Sequence, residues 1–126
     1  MRRDRTVLWA LMSLLVLTSL PAAGGEADVV AVDVKRERAG TYRFDVTVRH
    51  ADDGWKHYAD RWDVLAPDGT VLGTRVLLHP HVNEQPFKRS LSGVAIPDGI
   101  RQVTIRAGDS KHGYGGAAVD VAVPGR

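Results

Sequence analysis

Five histidines stand out in a chain of 126 residues that has no cysteine: His50, His57, His79, His81 and His112. The tightest spacing is His79-Pro80-His81. In extended backbone, residues two apart point to the same side. Pro80 fixes its own φ and keeps His79 extended. Two imidazoles so placed can face one ion, and a third ligand can come from His50, His57, His112, Glu84 or Asp109. Neutral imidazole suits Zn²⁺, Cu²⁺ and Ni²⁺. The only methionines are Met1 and Met12. Downstream of them the chain offers no sulfur ligand, which removes a blue-copper centre and any thiolate site for Cu⁺. The metal expected is therefore Zn²⁺ or Cu²⁺.

A second reading of the same histidines is mechanical. Imidazoles at loop ends hydrogen-bond carbonyls and carboxylates and so brace loops, with Asp60 one candidate partner. Trp55, Tyr58 and Trp62 read as core. Trp55, Tyr114 and Phe87 could instead form a surface for a protein or glycan partner. Other motifs carry less. Asp52-Asp53-Gly54 lacks the spaced ligands of a calcium loop and reads as a turn. Gly113-Tyr114-Gly115-Gly116 opens no helix and has no phosphate-binding lysine. Asp109, Ser110 and His112 are sequence neighbours, which does not make a catalytic triad. Lys88-Arg89 reads as edge-strand charge. Nothing here pairs a nucleophile with a base, so the expectation is a binding protein and not an enzyme.

The elements that must hold these residues are strands. Apolar residues alternate with polar ones at about 27–36, 41–50, 58–66, 70–78, 86–94, 100–108 and 117–124. Val30, Val32 and Val34 form the inward face of the first. Tyr42, Phe44, Val46 and Val48 form that of the second. Seven short strands at this spacing predict an all-β, antiparallel, seven-stranded sandwich of the immunoglobulin or fibronectin-III kind, with Trp62 in its core. Ala66-Pro67-Asp68-Gly69 and Ile96-Pro97-Asp98-Gly99 read as tight turns. If successive strands alternate in direction, these turns lie at one end. The three long loops, and with them all five histidines, lie at the other.

The first 24 residues read as an export signal. Arg2, Arg3 and Arg5 precede the apolar run Thr6–Leu20, and Ala22-Ala23-Gly24-Gly25 supplies small residues for a peptidase. The run is shorter than the roughly 20 residues of a membrane span. No cysteine follows it for a lipid. The expected division is a signal peptide at 1–24 and a sandwich domain at 25–126, released to the periplasm or outside the cell with no stable membrane anchor. Of 17 Lys+Arg and 15 Asp+Glu, the leader holds three and one, which leaves 14 of each. A neutral domain gives no basic footprint for nucleic acid.

The run His57-Tyr58-Ala59-Asp60, the segment Leu78 to Phe87 with its His-Pro-His-x-x-Glu-Gln-Pro-Phe pattern, and Asp109 to Gly116 resemble a group of small exported bacterial proteins of unassigned function. The resemblance covers most of the chain after the leader. It implies export and one compact domain, and it assigns no site residues.

Overall fold

The computed structural model describes residues 25–126. The expected signal peptide lies outside the described residues. Seven strands run in chain order: β1 (Asp28–Arg38), β2 (Thr41–Arg49), β3 (Ala59–Leu65), β4 (Val71–Val76), β5 (Phe87–Ala95), β6 (Gln102–Asp109) and β7 (Val119–Ala122). They form two antiparallel sheets, β1-β2-β5 and β4-β3-β6-β7. The open sandwich expected from the alternation is the fold observed.

One local rule decides where β4 lies. Pro67-Asp68-Gly69 makes a tight turn in which Gly69 N–H donates to the Ala66 carbonyl (2.9 Å). Gly69 takes a positive φ of 91° there. So short a connection forces β4 beside β3. The constant-type immunoglobulin order instead places the fourth strand with the first, second and fifth. As a result, residues 77–86 must cross from one sheet to the other, and that crossing carries His79 and His81. The 50–58 connection crosses in the opposite sense and carries His50 and His57.

Facing stripes of alternate residues fill the core. Tyr42, Phe44, Val46 and Val48 of β2 meet Trp62 and Val64 of β3 and Val103, Ile105 and Ala107 of β6, all buried. The phase expected for β1 is wrong by one residue at its start. A bulge between Val29 and Ala31 turns Val30 outward and buries Val29 instead. A second irregularity, between Ala59 and Arg61, buries Ala59 where Tyr58 was expected. Trp55 is not core: it is 66% exposed and meets the half-buried Tyr58 edge-on at 5.5 Å.

Both ends of the β6–β7 connection are pinned. Asp63 of β3 is buried on the outer face of its sheet. It accepts from Thr74 Oγ1 (2.7 Å), Arg106 Nε (3.0 Å) and Tyr114 Oη (2.7 Å). The Tyr114 ring lies under the guanidinium groups of Arg61 and Arg106, at 4.4 and 3.6 Å. Tyr114 is thus a strut for the loop and not a free surface residue. Further on, Ala117 N–H donates to Asp28 Oδ1 (2.8 Å) and Val29 N–H to the Ala117 carbonyl (2.9 Å). A Cβ at Gly116 would lie 2.0 Å from the Ala27 carbonyl oxygen, so only glycine lets residues 25–28 run so close to this loop.

Tyr114→Phe removes one hydrogen bond to a buried carboxylate. It should lower stability by about 1–2 kcal/mol, read as a drop in the urea midpoint. An unchanged midpoint would show that the strut carries no load.

Candidate metal centre

Two of the core stripes end in polar residues that stay in phase. On β2, Val46 and Val48 are followed by His50. On β6, Ile105 and Ala107 are followed by Asp109. Both polar residues are therefore carried inward over the end of the core, where His50 is 4% and Asp109 1% exposed. Asp109 ends β6 and His50 directly follows β2, so the strands fix their backbones more firmly than a free loop would.

His57, from the β2–β3 loop, completes a cluster. His50 Nε2 lies 3.2 Å from His57 Nε2 and 3.5 Å from Asp109 Oδ2. His57 Nε2 lies 3.5 Å from Asp109 Oδ1. Among the described residues, His50, His57 and Asp109 form a group whose ligand atoms are close enough to hold one metal ion. A tetrahedral site with metal–ligand bonds of 2.0–2.1 Å has ligand–ligand edges of about 3.3–3.4 Å. The observed separations straddle that value.

The groups behind these three orient them. His50 Nδ1 donates to Asp52 Oδ1 at 2.6 Å. A ring bonded to a carboxylate through Nδ1 turns Nε2 toward the metal position, the usual outer arrangement of a histidine ligand. Asp109 Oδ1 accepts the backbone N–H of Lys111 (2.8 Å), and its Oδ2 lies 3.3 Å from His112 Nδ1. His112, at the edge of the cluster, also meets the His57 ring edge-on at 4.7 Å. The carbonyl of Gly25 accepts from His50 Nε2 at 2.9 Å.

Charge explains the proton positions. Burial alone would depress His50, but the bond to Asp52, the Gly25 carbonyl and the charges of Asp52 and Asp109 outweigh it and raise its pKa above 6.5. Burial would likewise raise Asp52. Bonds from His50, His81 N–H and Ala59 N–H hold it below its ordinary value instead. Asp109 is also lowered, because the backbone donors of His112 and Lys111, the His112 ring and the charge of His50 overcome its burial.

His79 and His81 occupy a separate place. The His81 ring stacks on Phe87 at 4.0 Å and 8°, with the His79 ring 4.7 Å away on a 31° tilt. Arg89 Nη2 lies 2.7 Å from His81 Nε2 and uses the lone pair a metal would need. Burial first, then the charges of Arg89 and His79, push the His81 pKa below 6.5. The two groups of histidines are joined through Asp52, whose Oδ2 accepts His81 N–H at 2.7 Å, and through the Gln85 side chain. The His-Pro-His segment thus adds no ligand to the His50, His57 and Asp109 group. Phe87, expected at a surface, is buried. Arg89, expected only as edge charge, partners His81. Asp60, expected beside a histidine, pairs with Arg61 at 2.5 Å.

Two residues of the cluster give little sign of it in the sequence. Asp52 reads there as a turn residue, although His50-Ala51-Asp52 has the same two-residue spacing that singles out His79-Pro80-His81. Gly25 gives no signal beyond its place beside the leader.

No family model matches the chain, and no solved structure matches it. A protein of Halomicrobium mukohataei named "Putative lipoprotein" is 43% identical over 96 residues, which cover 76% of this chain and 47% of that protein. The chain spans about half the length of this relative.

Proposed function

We propose that this is an exported, non-catalytic protein that binds one divalent transition metal through His50 Nε2, His57 Nε2 and an oxygen of Asp109. The observation that carries the proposal is that His50 Nε2 lies 3.2 Å from His57 Nε2 while each of them lies 3.5 Å from a different oxygen of the Asp109 carboxylate. Two imidazole nitrogens so close are poorly matched unless a proton or a metal ion lies between them, and in the metal-free protein the His50 Nε2 proton is given to the Gly25 carbonyl. The charge balance favours the metal. Asp52 and Asp109 are buried anions, and a single imidazolium leaves the cluster with one net negative charge. A divalent ion with neutral histidines closes that gap.

The separations also rank the metals. A tetragonal Cu²⁺ site would need adjacent ligands about 2.8 Å apart, shorter than the tetrahedral edge of Zn²⁺. The 3.2 Å between the two imidazole nitrogens is closer to the zinc geometry, so Zn²⁺ is proposed ahead of Cu²⁺. Export rests on the leader-like residues 1–24 and on the name of the H. mukohataei relative, and leads to the periplasm or the cell exterior. The chain has no cysteine, so the lipid that this name implies for the relative has no attachment point here.

Calorimetric titration of the exported protein should show one Zn²⁺ per chain. His50→Ala and Asp109→Ala should each weaken binding about 100-fold or more, whereas a His79→Ala/His81→Ala double variant should stay within about threefold. Absence of sub-millimolar binding by both Zn²⁺ and Cu²⁺ would refute the proposal. So would a loss confined to the double variant.

The metal-free protein should show the proton that the metal replaces. A raised His50 pKa means that its contribution to stability is complete below 6.5 and is lost as pH rises through the folded value. His81, lowered from 6.5, acts in reverse: its contribution is present above 6.5 and fades as pH falls. Urea unfolding in chelator separates the two. The advantage of the native chain over His50→Gln should be largest below pH 6.5 and shrink above it. A constant advantage from about pH 5 to 9 would contradict the assignment.

A further inference from the structure

Gly25 does more at this site than accept one hydrogen bond. Its carbonyl oxygen is 2.9 Å from His50 Nε2. A Cβ built on it would lie 3.2 Å from His112 Cε1, so the residue lies against both His50 and the His112 ring. The next residues of the chain hold it there: Ala27 passes against Gly116, and Asp28 and Val29 bond Ala117. Gly25 is therefore held beside His50, one member of the His50, His57 and Asp109 group. The sequence puts a second demand on the same spot. Ala22 and Gly24, like Ala23 and Gly25, are small residues two apart of the kind a signal peptidase accepts, and cleavage after the first pair leaves Gly25 first.

We infer that cleavage between Gly24 and Gly25 completes the metal site: the freed α-amine of Gly25, with its carbonyl oxygen, supplies the ligands that the three side chains leave open. This rests on the metal reading above. The chemistry is simple. Before cleavage the Gly25 nitrogen is an amide, whose lone pair is delocalised and does not bind Zn²⁺. Hydrolysis of the Gly24–Gly25 bond gives a carboxylate on Gly24 and an amine on Gly25. A neutral amine donates its lone pair. Standard backbone dimensions allow the nitrogen to come within about 2.7 Å of the carbonyl oxygen of the same residue when both lie on one side of the Cα–C bond, which is the bite of a five-membered chelate ring. When Zn²⁺ enters, the proton on His50 Nε2 leaves to solvent and the Gly25 oxygen loses its donor. That oxygen is then free to turn its lone pair to the ion. The absence of a side chain serves both partners, since a Cβ would press on His112.

The test compares two exported forms of the full-length gene product. One has the native sequence; the other carries Ala-Ser inserted between Gly24 and Gly25, which moves the α-amine away while keeping every side chain. Intact mass should show that the native form begins at Gly25. Zn²⁺ titration should then show binding at least about tenfold weaker in the extended form, with unchanged thermal unfolding when both are metal-free. Equal affinity in the two forms, or a native chain beginning at another residue, overturns the inference and leaves the three-side-chain site standing. His50→Ala in the native form separates the two ideas. If it binds Zn²⁺ as well as the native chain, or if the native chain binds none, the metal reading itself fails, and this inference with it.

Discussion

Two carboxylates without solvent organise this end of the protein. The side chains of Asp52 and Asp109 are fully buried beside a His50 ring that is 2% exposed. Buried anions are costly unless each oxygen has a partner. Asp52 therefore gathers the His50 ring, the first residue of β3 and the backbone of His81 on its two oxygens. Asp109 gathers the backbone of residues 111 and 112 and the His112 ring. The three long loops are tied to one point because these two groups would otherwise be stranded. A pure bracing arrangement could meet the same need. It would not require two imidazole nitrogens to point at each other across 3.2 Å.

Much of this is legible in the residues. Strand boundaries follow the alternation closely, because one face of each sheet is buried and a one-residue slip would expose it. The gathering of the histidines at one end follows from strand count and direction. Bulges are not legible. At Val29 and at Ala59 an extra residue shifts the phase, and nothing in Asp-Val-Val-Ala or Tyr-Ala-Asp-Arg marks where it falls. The site is legible in part. His50 and Asp109 stand in phase with apolar stripes, a signal available from spacing alone: a polar residue at a core position needs partners. His79-Pro80-His81 is the more conspicuous pattern because its spacing is local. The partner that uses up its second imidazole, Arg89, comes from another strand, and no local pattern reveals it.

The two histidine groups divide the work. His81 is neutral, stacked on Phe87 and bonded by Arg89, so its ring serves as packing with a polar edge. Gln85 reinforces this by accepting from His50 N–H (3.0 Å) and donating to the His81 carbonyl (3.0 Å). The crossing between sheets is thereby clamped against the residue that begins the metal cluster. His50 is the one ring that faces both ways. Its Nδ1 belongs to the clamp and its Nε2 to the cluster, so it passes the rigidity of the first to the second.

That arrangement sets what can occupy the cluster. A proton on His50 Nε2 satisfies Gly25 and leaves His57 without a donor between the two rings. The divalent ion proposed for this site would bond all three side chains at once and add the charge that the two carboxylates call for. Among the described residues there is neither cysteine nor methionine, so oxygen and nitrogen are the donors there, and such a set favours Zn²⁺ or Cu²⁺ over soft Cu⁺. It is also inert to the oxidation that troubles thiolates. The absence of sulfur and the proposed export agree with one another, since thiols would not stay reduced outside the cell.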